Sequence, residues 1–278
     1  MRKLTMQWRC PGLVSGLLAV LLAALPAHVM ADTVLITGAN SGIGLEFTKQ
    51  YASQGWTVIA THRRSEVPAS LAEVIAKFKN VRVEQMDVTN QSQVLALAAK
   101  LKGTPIDVLI NNAGVYNDRS ECKDDDCPGN WSNQSFGNLN YPLFDTIMAV
   151  NVKGPLQVAE AFLENVKASR QKKIVSISST NGSLTEQLPG SGAIFYRSSK
   201  AALNRAMQLV ATEEKKDGVI VLLMHPGAVL TERQAYLAKY EGMIKMPFTV
   251  ENMIKTIAKV TIEDSGRFLQ YDGTSVPW

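Results

Sequence analysis

Cysteine and histidine are scarce in this sequence of 278 residues, which contains three of each. Cys122 and Cys127 lie in a polar loop, and no histidine stands near them in the sequence. Two thiols alone are too few for a metal centre, so we predict no metal site. The same two residues are spaced for a small disulfide ring if the protein is exported to an oxidising compartment.

Positive charge is also nearly balanced once the first 31 residues are set aside. The formal net charge is +4, and Arg2, Lys3 and Arg9 all precede the first acidic residue, Asp32. Subtracting these three charges leaves +1 for the rest of the chain. No basic patch for a nucleic acid follows from this balance, so we predict no nucleic-acid partner.

The N-terminal segment lacks the run of about 20 apolar residues that a transmembrane helix needs. Its apolar stretch, Leu13 to Leu25, follows a cationic start and precedes the small-residue pattern Val29-Met30-Ala31. This order is typical of a secretory signal peptide. We therefore predict that residues 1–31 are a signal peptide or leader, which makes the protein exported or membrane-associated. The alternative is a cytoplasmic protein that starts at Met30, and cleavage or retention of the segment stays open.

Residues 32–278 show neither an internal repeat nor an interdomain linker. Short apolar runs predict seven strands: Thr33–Thr37, Thr57–Thr61, Val81–Gln85, Val108–Asn111, Lys173–Ile177, Val219–Leu223 and Arg267–Tyr271. Segments of helical period separate them, for example Leu71–Phe78, Val94–Leu101 and Leu156–Val166. This alternation predicts an α/β fold, a single domain in which a doubly wound parallel sheet of the Rossmann type lies between two helical layers. Ligands of such folds bind beyond the carboxyl ends of the strands.

A glycine-rich turn, Thr37–Gly44, follows the first strand and opens into a helix. Glycine permits positive φ and close backbone approach, and a helix N-terminus offers unpaired N–H groups to a phosphate. The spacing is Gly-x-x-x-Gly-x-Gly, which differs from the Gly-x-Gly-x-x-Gly dinucleotide fingerprint. Alone, the turn is weak support for a nucleotide site.

Tyr196 and Lys200 stand four residues apart in a helix-compatible run, so they share one helix face. A phenol titrates near pH 10, and a neighbouring ammonium together with a cationic nicotinamide would lower its pKa. The fifth strand ends at Ser178 and Ser179, where a hydroxyl would meet the site. The fourth ends in Asn111–Gly114, whose small residues let a flat ring approach the backbone.

Together these motifs resemble the short-chain dehydrogenase/reductase family over residues 33–278. The run Tyr196–Asn204 and the chain end Tyr271–Trp278 are similar, more narrowly, to its C-factor/sniffer-type carbonyl reductase branch. The motifs that carry the resemblance are Thr37–Gly44, Asn111–Gly114, Asn151, Ser179, Tyr196 with Lys200, and Pro226-Gly227 leading to Thr231.

The resemblance implies an oxidoreductase that transfers hydride between a nicotinamide and a carbonyl or secondary alcohol. Tyr196 would be the general acid, Lys200 would lower its pKa and bind the nicotinamide ribose, Ser179 would orient the carbonyl, and Asn151 would hold a relay water. The cofactor-binding residues it implies are Gly38, Ser41, Ile43, Gly44, Arg63, Asp87, Val88, Asn112, Ala113, Gly114, Tyr196, Lys200, Pro226, Gly227, Val229 and Thr231.

The end of the second strand bears on the choice of cofactor. An Asp or Glu there grips the ribose hydroxyls of NAD. Here the strand is followed by His62, Arg63 and Arg64, so nothing repels a 2′-phosphate and Arg63 offers it a bidentate fork. We predict NADP(H) rather than NAD(H).

Several points stay open at this stage. The rival hypothesis is a non-catalytic NADP(H)-binding sensor or signalling protein, which would not need the proton-transfer residues. The extra loop Thr185–Gly192 is expected to reshape the rim of the active site. The position of the long loop Tyr116–Pro142 favours a place beside the substrate cleft, although its role stays open, and residues 232–249 are expected to form either an apolar lid or two packed helices. His225 is expected to be structural rather than catalytic. The partner is a small carbonyl or alcohol of unspecified identity and stereochemistry, and a homo-oligomer is compatible with the family.

Overall fold

The protein is described by a computed structural model over residues 31–117, 130–186, 192–231 and 241–278, together with Met1 and Lys3. Residues 31–278 form one unit by their contacts, and Met1–Met30 form another. Nearly all of the predicted leader lies outside the described residues, as do Cys122, Cys127 and residues 232–240. Among the described helices, none has the length and apolar character needed to span a membrane.

Seven parallel strands form the central sheet, in the order β3-β2-β1-β4-β5-β6-β9. Their bounds are β1 Thr33–Ile36, β2 Thr57–His62, β3 Val81–Gln85, β4 Val108–Asn111, β5 Lys173–Ile177, β6 Ile220–His225 and β9 Phe268–Gln270. All seven correspond to predicted strands, and the largest difference is that β6 runs on to His225. The predicted doubly wound parallel sheet is confirmed.

Helices cover both faces of the sheet. They are α1 Gly42–Ser53, α2 Ala69–Lys77, α3 Gln91–Lys100, α4 Tyr141–Met148, α5 Gly154–Ala161, α6 Leu163–Lys167, α7 Ile194–Glu214 and α8 Met246–Lys259. The predicted helix over Leu156–Val166 is interrupted at Phe162, which is buried between α5 and α6.

Alternate residues of the strands divide the core into two layers. Val34 and Ile36 of β1 pack in one buried cluster with residues of α1 and α8, and Leu35 packs in a second with residues of α3 and α7. Side chains of successive strand residues point to opposite faces, so a strand buried on both faces must be apolar throughout. This requirement is why the sequence shows continuous apolar runs.

The strand order reverses between β1 and β4, which pair from Val34↔Val108 to Ile36↔Ile110. The connections after these two strands lead to opposite sides, and a crevice opens beyond their carboxyl ends. A separate two-stranded parallel sheet, β7 Val229–Leu230 with β8 Ile244–Lys245, follows β6. This small sheet was not predicted, because two-residue strands leave no periodic pattern in a sequence.

Candidate active site

The glycine-rich turn after β1 brings the backbone very close to the end of β4. Gly38 has φ +65, and a Cβ on it would stand 3.0 Å from the Cα of Ala113. A Cβ on Gly44 would lie 2.4 Å from both the Gly38 carbonyl oxygen and Asn112 Nδ2. Real Cβ atoms do not approach that closely, so the turn can close only with glycine at this position.

Thr37 fastens the turn to β4. Its Oγ1 accepts hydrogen bonds from the main-chain N–H groups of Asn112 and Ala113, both at 3.0 Å. In return, Asn112 Nδ2 donates to the Thr37 carbonyl oxygen at 2.9 Å. The two motifs that the sequence separates by about 70 residues therefore form one rigid floor.

Helix α1 starts at the centre of this floor. Its N-cap, Ser41, makes no side-chain capping bond, and its first turn holds no acidic residue. The first N–H groups of a helix lack intrahelical partners and carry the positive end of its dipole. The turn therefore presents N–H donors and partial positive charge, a combination suited to a phosphate group.

The carboxyl end of β2 adds two full positive charges. Arg63 and Arg64 are exposed and line the cleft, whereas His62 is buried with 2% of its surface exposed. Burial, and to a smaller extent the Arg64 charge, lowers the pKa of His62, so this imidazole is neutral at neutral pH. At the end of β3, Asp87 also lines the cleft, and its carboxylate accepts from Thr89 N at 2.8 Å and Thr89 Oγ1 at 2.7 Å.

Tyr196 and Lys200 lie on one face of α7. Lys200 Nζ is 5.8 Å from the Tyr196 ring centroid and donates to the carbonyl oxygen of Ile177, the last residue of β5, at 2.8 Å. Burial lowers the pKa of Lys200 to about 8. Burial also raises the pKa of Tyr196, against the effect of a hydrogen bond with Ser179. Without a nucleotide, desolvation outweighs the other influences on the phenol. The lowering predicted from the sequence also requires a bound nicotinamide, and it stays a prediction.

The two serines after β5 have different partners. Ser178 Oγ donates its hydrogen to the buried Asn204 Oδ1 at 2.5 Å. Ser179 Oγ instead accepts from Asn181, from its main-chain N at 3.2 Å and its Nδ2 at 3.3 Å. A hydroxyl has two acceptor lone pairs and one hydrogen to donate. With both lone pairs engaged, the Ser179 hydrogen is the part of this group left for Tyr196 or a substrate.

Asn151 lies behind the cleft rather than on it. It belongs to a π-helical turn, Ala149–Lys153, and is 1% exposed. Its Oδ1 accepts from Val115 N at 2.9 Å, and its Nδ2 donates to the Val115 carbonyl oxygen at 2.7 Å and to Ser199 Oγ at 3.0 Å. The side chain therefore joins the end of β4 to α7. Such π turns are frequent at functional sites.

A cleft of about 750 Å³ connects these groups, within the range of small-molecule and cofactor sites. Every site residue predicted from the sequence lines it except Gly44 and Asn151, which support it from behind. His225 also lines it, and burial lowers the pKa of this side chain to about 4, so it is a neutral group. Pro226, Gly227, Val229, Thr231 and Met243 close the end near β7.

Two aromatic residues that were not predicted from the sequence also line the cleft. Tyr116 and Trp131 stack there, with 5.5 Å between their ring centroids and 29° between their ring planes. Tyr116 also meets Tyr196 edge-on, with 6.5 Å between ring centroids. We call Tyr116 and Trp131 the aromatic wall. Both belong to the long loop after β4, which was expected to border the cleft, although no spacing in the sequence singles out these two positions.

Comparison with known proteins gives a consistent result. Residues 32–242 match the family model described as short chain dehydrogenase. C-signal of Myxococcus xanthus is 34% identical over 183 residues, which cover 66% of this chain and 99% of that protein. A 1-hydroxy-2-glutathionyl-2-methyl-3-butene dehydrogenase of Rhodococcus sp. strain AD45 is 32% identical over 249 residues, covering 89% of this chain and 100% of that one.

Solved structures show the same likeness in three dimensions. The NADPH-bound carbonyl reductase from chicken fatty liver is similar with a TM-score of 0.78 at 27% identity, over 90% of this chain and 100% of that chain. The matched family model spans both the glycine turn and the residues around Tyr196. The chain therefore belongs to the short chain dehydrogenase family of oxidoreductases.

Proposed function

We propose that this protein is an NADP(H)-dependent oxidoreductase that transfers hydride between the nicotinamide and a carbonyl or secondary alcohol. The observation that carries the proposal is that Ser179, Tyr196 and Lys200 line the same cleft as the glycine turn. A proton donor, a group to orient a carbonyl and a buried cation are thus combined with a nucleotide-sized space.

The cleft residues fit a dinucleotide that carries a 2′-phosphate. The start of α1 offers N–H donors without a competing acid, and the main chain at Gly38 lies against Ala113 with no side chain between. Arg63 and Arg64 stand where NAD-binding folds place a carboxylate. The similar chicken carbonyl reductase is NADPH-bound. These features support NADP(H) over NAD(H), with Asp87 and Val88 toward the adenine.

When bound, the cofactor would supply or accept the hydride, and side chains of the protein would donate or accept the proton. Burial raises the pKa of Tyr196, so its hydroxyl holds a proton at neutral pH and can donate it to a carbonyl oxygen. Ser179, whose lone pairs are engaged by Asn181, would direct its own hydrogen to the same oxygen. Two donors would then converge on the atom where negative charge develops.

Lys200 would stabilise the phenolate that remains. Its pKa of about 8 keeps it mostly charged at neutral pH, and its fixed bond to Ile177 holds the ammonium near the Tyr196 ring. Opposite charge favours the ionised form of a neighbouring phenol. Asn151 hydrogen-bonds to Val115 and to Ser199 of α7. It would therefore hold α7 in place while Tyr196 regains its proton.

A Tyr196→Phe variant tests the proposal against the non-catalytic alternative. The variant keeps the ring and loses the transferable proton, and general acid catalysis contributes about 10²- to 10⁴-fold to a rate. We expect NADPH oxidation with benzaldehyde, acetophenone or hexanal to fall by that factor while NADPH affinity, measured by fluorescence, stays within about twofold. A wild-type protein that binds NADPH but reduces none of these carbonyls would favour the sensor.

The N-terminal leader and the Cys122–Cys127 disulfide stay predictions, as does a homo-oligomeric state. We propose that residues 1–31 direct export. Mass spectrometry of the natural N-terminus tests this proposal. Cleavage just before Asp32 supports it, whereas a chain that starts at Met30 or Ala31 contradicts it and supports the cytoplasmic alternative.

A further inference from the structure

The proposed function leaves Gln134, in the long loop after β4, without a role. It ends a short 3-10 turn, Ser132–Gln134, and its side chain has no exposed surface. Burying a primary amide is costly unless its donors and acceptor find partners. Its partners are the main-chain N–H of Tyr196 and the main-chain carbonyl oxygen of Tyr116, so this residue joins the loop to the helix that carries the proposed proton donor.

The first partner is the helix that carries Tyr196. Gln134 Oε1 accepts a hydrogen bond from Tyr196 N at 2.9 Å. Tyr196 is the third residue of α7, and its N–H belongs to the first turn, where no intrahelical acceptor exists. A capping side chain normally fills this role, but the N-cap here is Ala193, with no side-chain cap and a left-handed backbone at φ 53. Gln134 replaces the missing cap from 62 residues away.

The second partner is the aromatic wall. Gln134 Nε2 donates to the Tyr116 carbonyl oxygen at 2.8 Å, and the Tyr116 ring meets both Trp131 and Tyr196. One rigid, planar amide therefore fixes the main chain of Tyr116 relative to that of Tyr196. Gln134 thus acts together with Asn151, which bonds to Val115 and to Ser199 of α7, in setting the distance between the proposed proton donor and the aromatic wall.

We propose that Gln134 is a positioning residue, which holds the first turn of α7 and the aromatic wall in the mutual register that proton transfer from Tyr196 requires. The inference rests on the proposed function. Gln134 does not touch the cleft itself, so it acts through Tyr196 and Tyr116. Replacing Gln134 should therefore lower the turnover of the carbonyl substrate. It should leave unchanged the glycine turn and Arg63, where the nucleotide phosphates would bind.

The test compares Gln134→Leu and Gln134→Glu with wild type, using NADPH and whichever of benzaldehyde, acetophenone and hexanal wild type reduces fastest. Leucine has nearly the same size but neither donates nor accepts. A displacement of about 1 Å can reduce a rate by up to 10²-fold, so we expect kcat to fall by about 10- to 100-fold. NADPH affinity should stay within about twofold, because the phosphate end of the cleft is unchanged.

The pH dependence of kcat in Gln134→Glu distinguishes a positioning role from a merely structural one. A protonated carboxyl can still donate to Tyr116 and accept from Tyr196, but the carboxylate can only accept. We therefore expect the ratio of its kcat to that of wild type to be near one at low pH and to decrease as pH rises. Gln208→Leu is the matched control: it makes the same change on the outer part of α7, where Gln208 bonds to Arg205 at the surface.

Three results would overturn the inference and leave the proposed function standing. The first two are a Gln134→Leu variant with wild-type kcat and a ratio of Gln134→Glu kcat to wild-type kcat that does not change with pH. Loss of NADPH affinity in step with kcat would also overturn it, since this would indicate general unfolding. If Gln134→Leu does not fold, the pH series of Gln134→Glu decides. A wild-type protein that binds NADPH but reduces no carbonyl would overturn the proposed function and this inference with it.

Discussion

Replacing Lys200 by methionine should make the protein more stable at neutral pH and inactive. Burial destabilises the charged form of Lys200 in the folded protein. The size of this effect follows from the pKa of Lys200, which burial lowers from its ordinary value of 10.5 to about 8. At about 1.36 kcal/mol for each tenfold change in the proton equilibrium, this fall corresponds to a penalty of about 3 kcal/mol on the charged form. Methionine fills similar space without charge.

The substitution also removes a favourable contact. Lys200 Nζ donates to the Ile177 carbonyl oxygen at 2.8 Å, and methionine would leave that oxygen without this donor. An unsatisfied buried acceptor costs about 1–3 kcal/mol. The desolvation penalty lies just above the upper end of that range, so we expect a net gain of up to about 2 kcal/mol in the free energy of unfolding at pH 7.

The pH dependence separates this explanation from simple repacking. Because the folded pKa is the lower one, the penalty on wild type is complete below about pH 8 and disappears as pH rises toward the ordinary 10.5. Urea unfolding without nucleotide should therefore show the variant more stable at pH 7 and the advantage shrinking across that window. Lys255→Met, at an exposed ion pair of α8, is the control and should change little.

A Lys200→Met protein no more stable than wild type at pH 7, or a difference independent of pH, would refute the reasoning. The first result would mean that the ammonium is better solvated than its burial indicates. The second would mean that any gain comes from the shape of the methionine side chain.

Three further predictions follow from the site. Arg63→Ala should weaken NADPH binding about tenfold and leave NADH binding almost unchanged, because a charge-assisted bond to a phosphate contributes about 1.5–3 kcal/mol before solvent screening; fluorescence titration with both nucleotides measures this. Gly44→Ala should lower Tm and abolish nucleotide binding, since its Cβ would stand 2.4 Å from two atoms of the glycine turn. Asn181→Leu should lower kcat several-fold, measured by steady-state kinetics at saturating NADPH, because Ser179 loses one of its two donors and its hydrogen is free to turn away.

The strands were predictable because burial on both faces leaves no choice of residue type. Val108–Asn111 and Lys173–Ile177 match the structure at both ends, whereas β6 starts one residue later than predicted and continues through Met224 and His225. The helix predicted over Leu156–Val166 was wrong in one respect. Periodicity reports which residues face the core, and it does not report where Phe162 turns the chain.

The floor of the site was predictable for a similar reason, since glycine at positions 38 and 44 is required by contacts that no other residue allows. The aromatic wall and Gln134 were not predicted. Tyr116 and Trp131 meet across a loop with no period, and the two bonds of Gln134 join residues 18 and 62 positions away. Such contacts depend on the three-dimensional course of a loop, which neither composition nor spacing encodes.

The parallel order of the central sheet has a consequence for how the chain can fold as it is synthesised. Strand β1 pairs with β2, which follows it closely in the sequence, and with β4, which is synthesised much later. The hydrogen bond from Thr33 N to Asp107 Oδ2, at the start of these two strands, joins residues 74 positions apart. Non-local pairing of this kind is slow and leaves apolar edges exposed meanwhile. A nascent chain that has emerged only as far as β3 thus carries the glycine turn without the Thr37 bonds that close it. The proposed nucleotide would stabilise the chain only after β4 is in place, so we expect cofactor concentration to influence the late steps of folding and to leave the early ones unaffected.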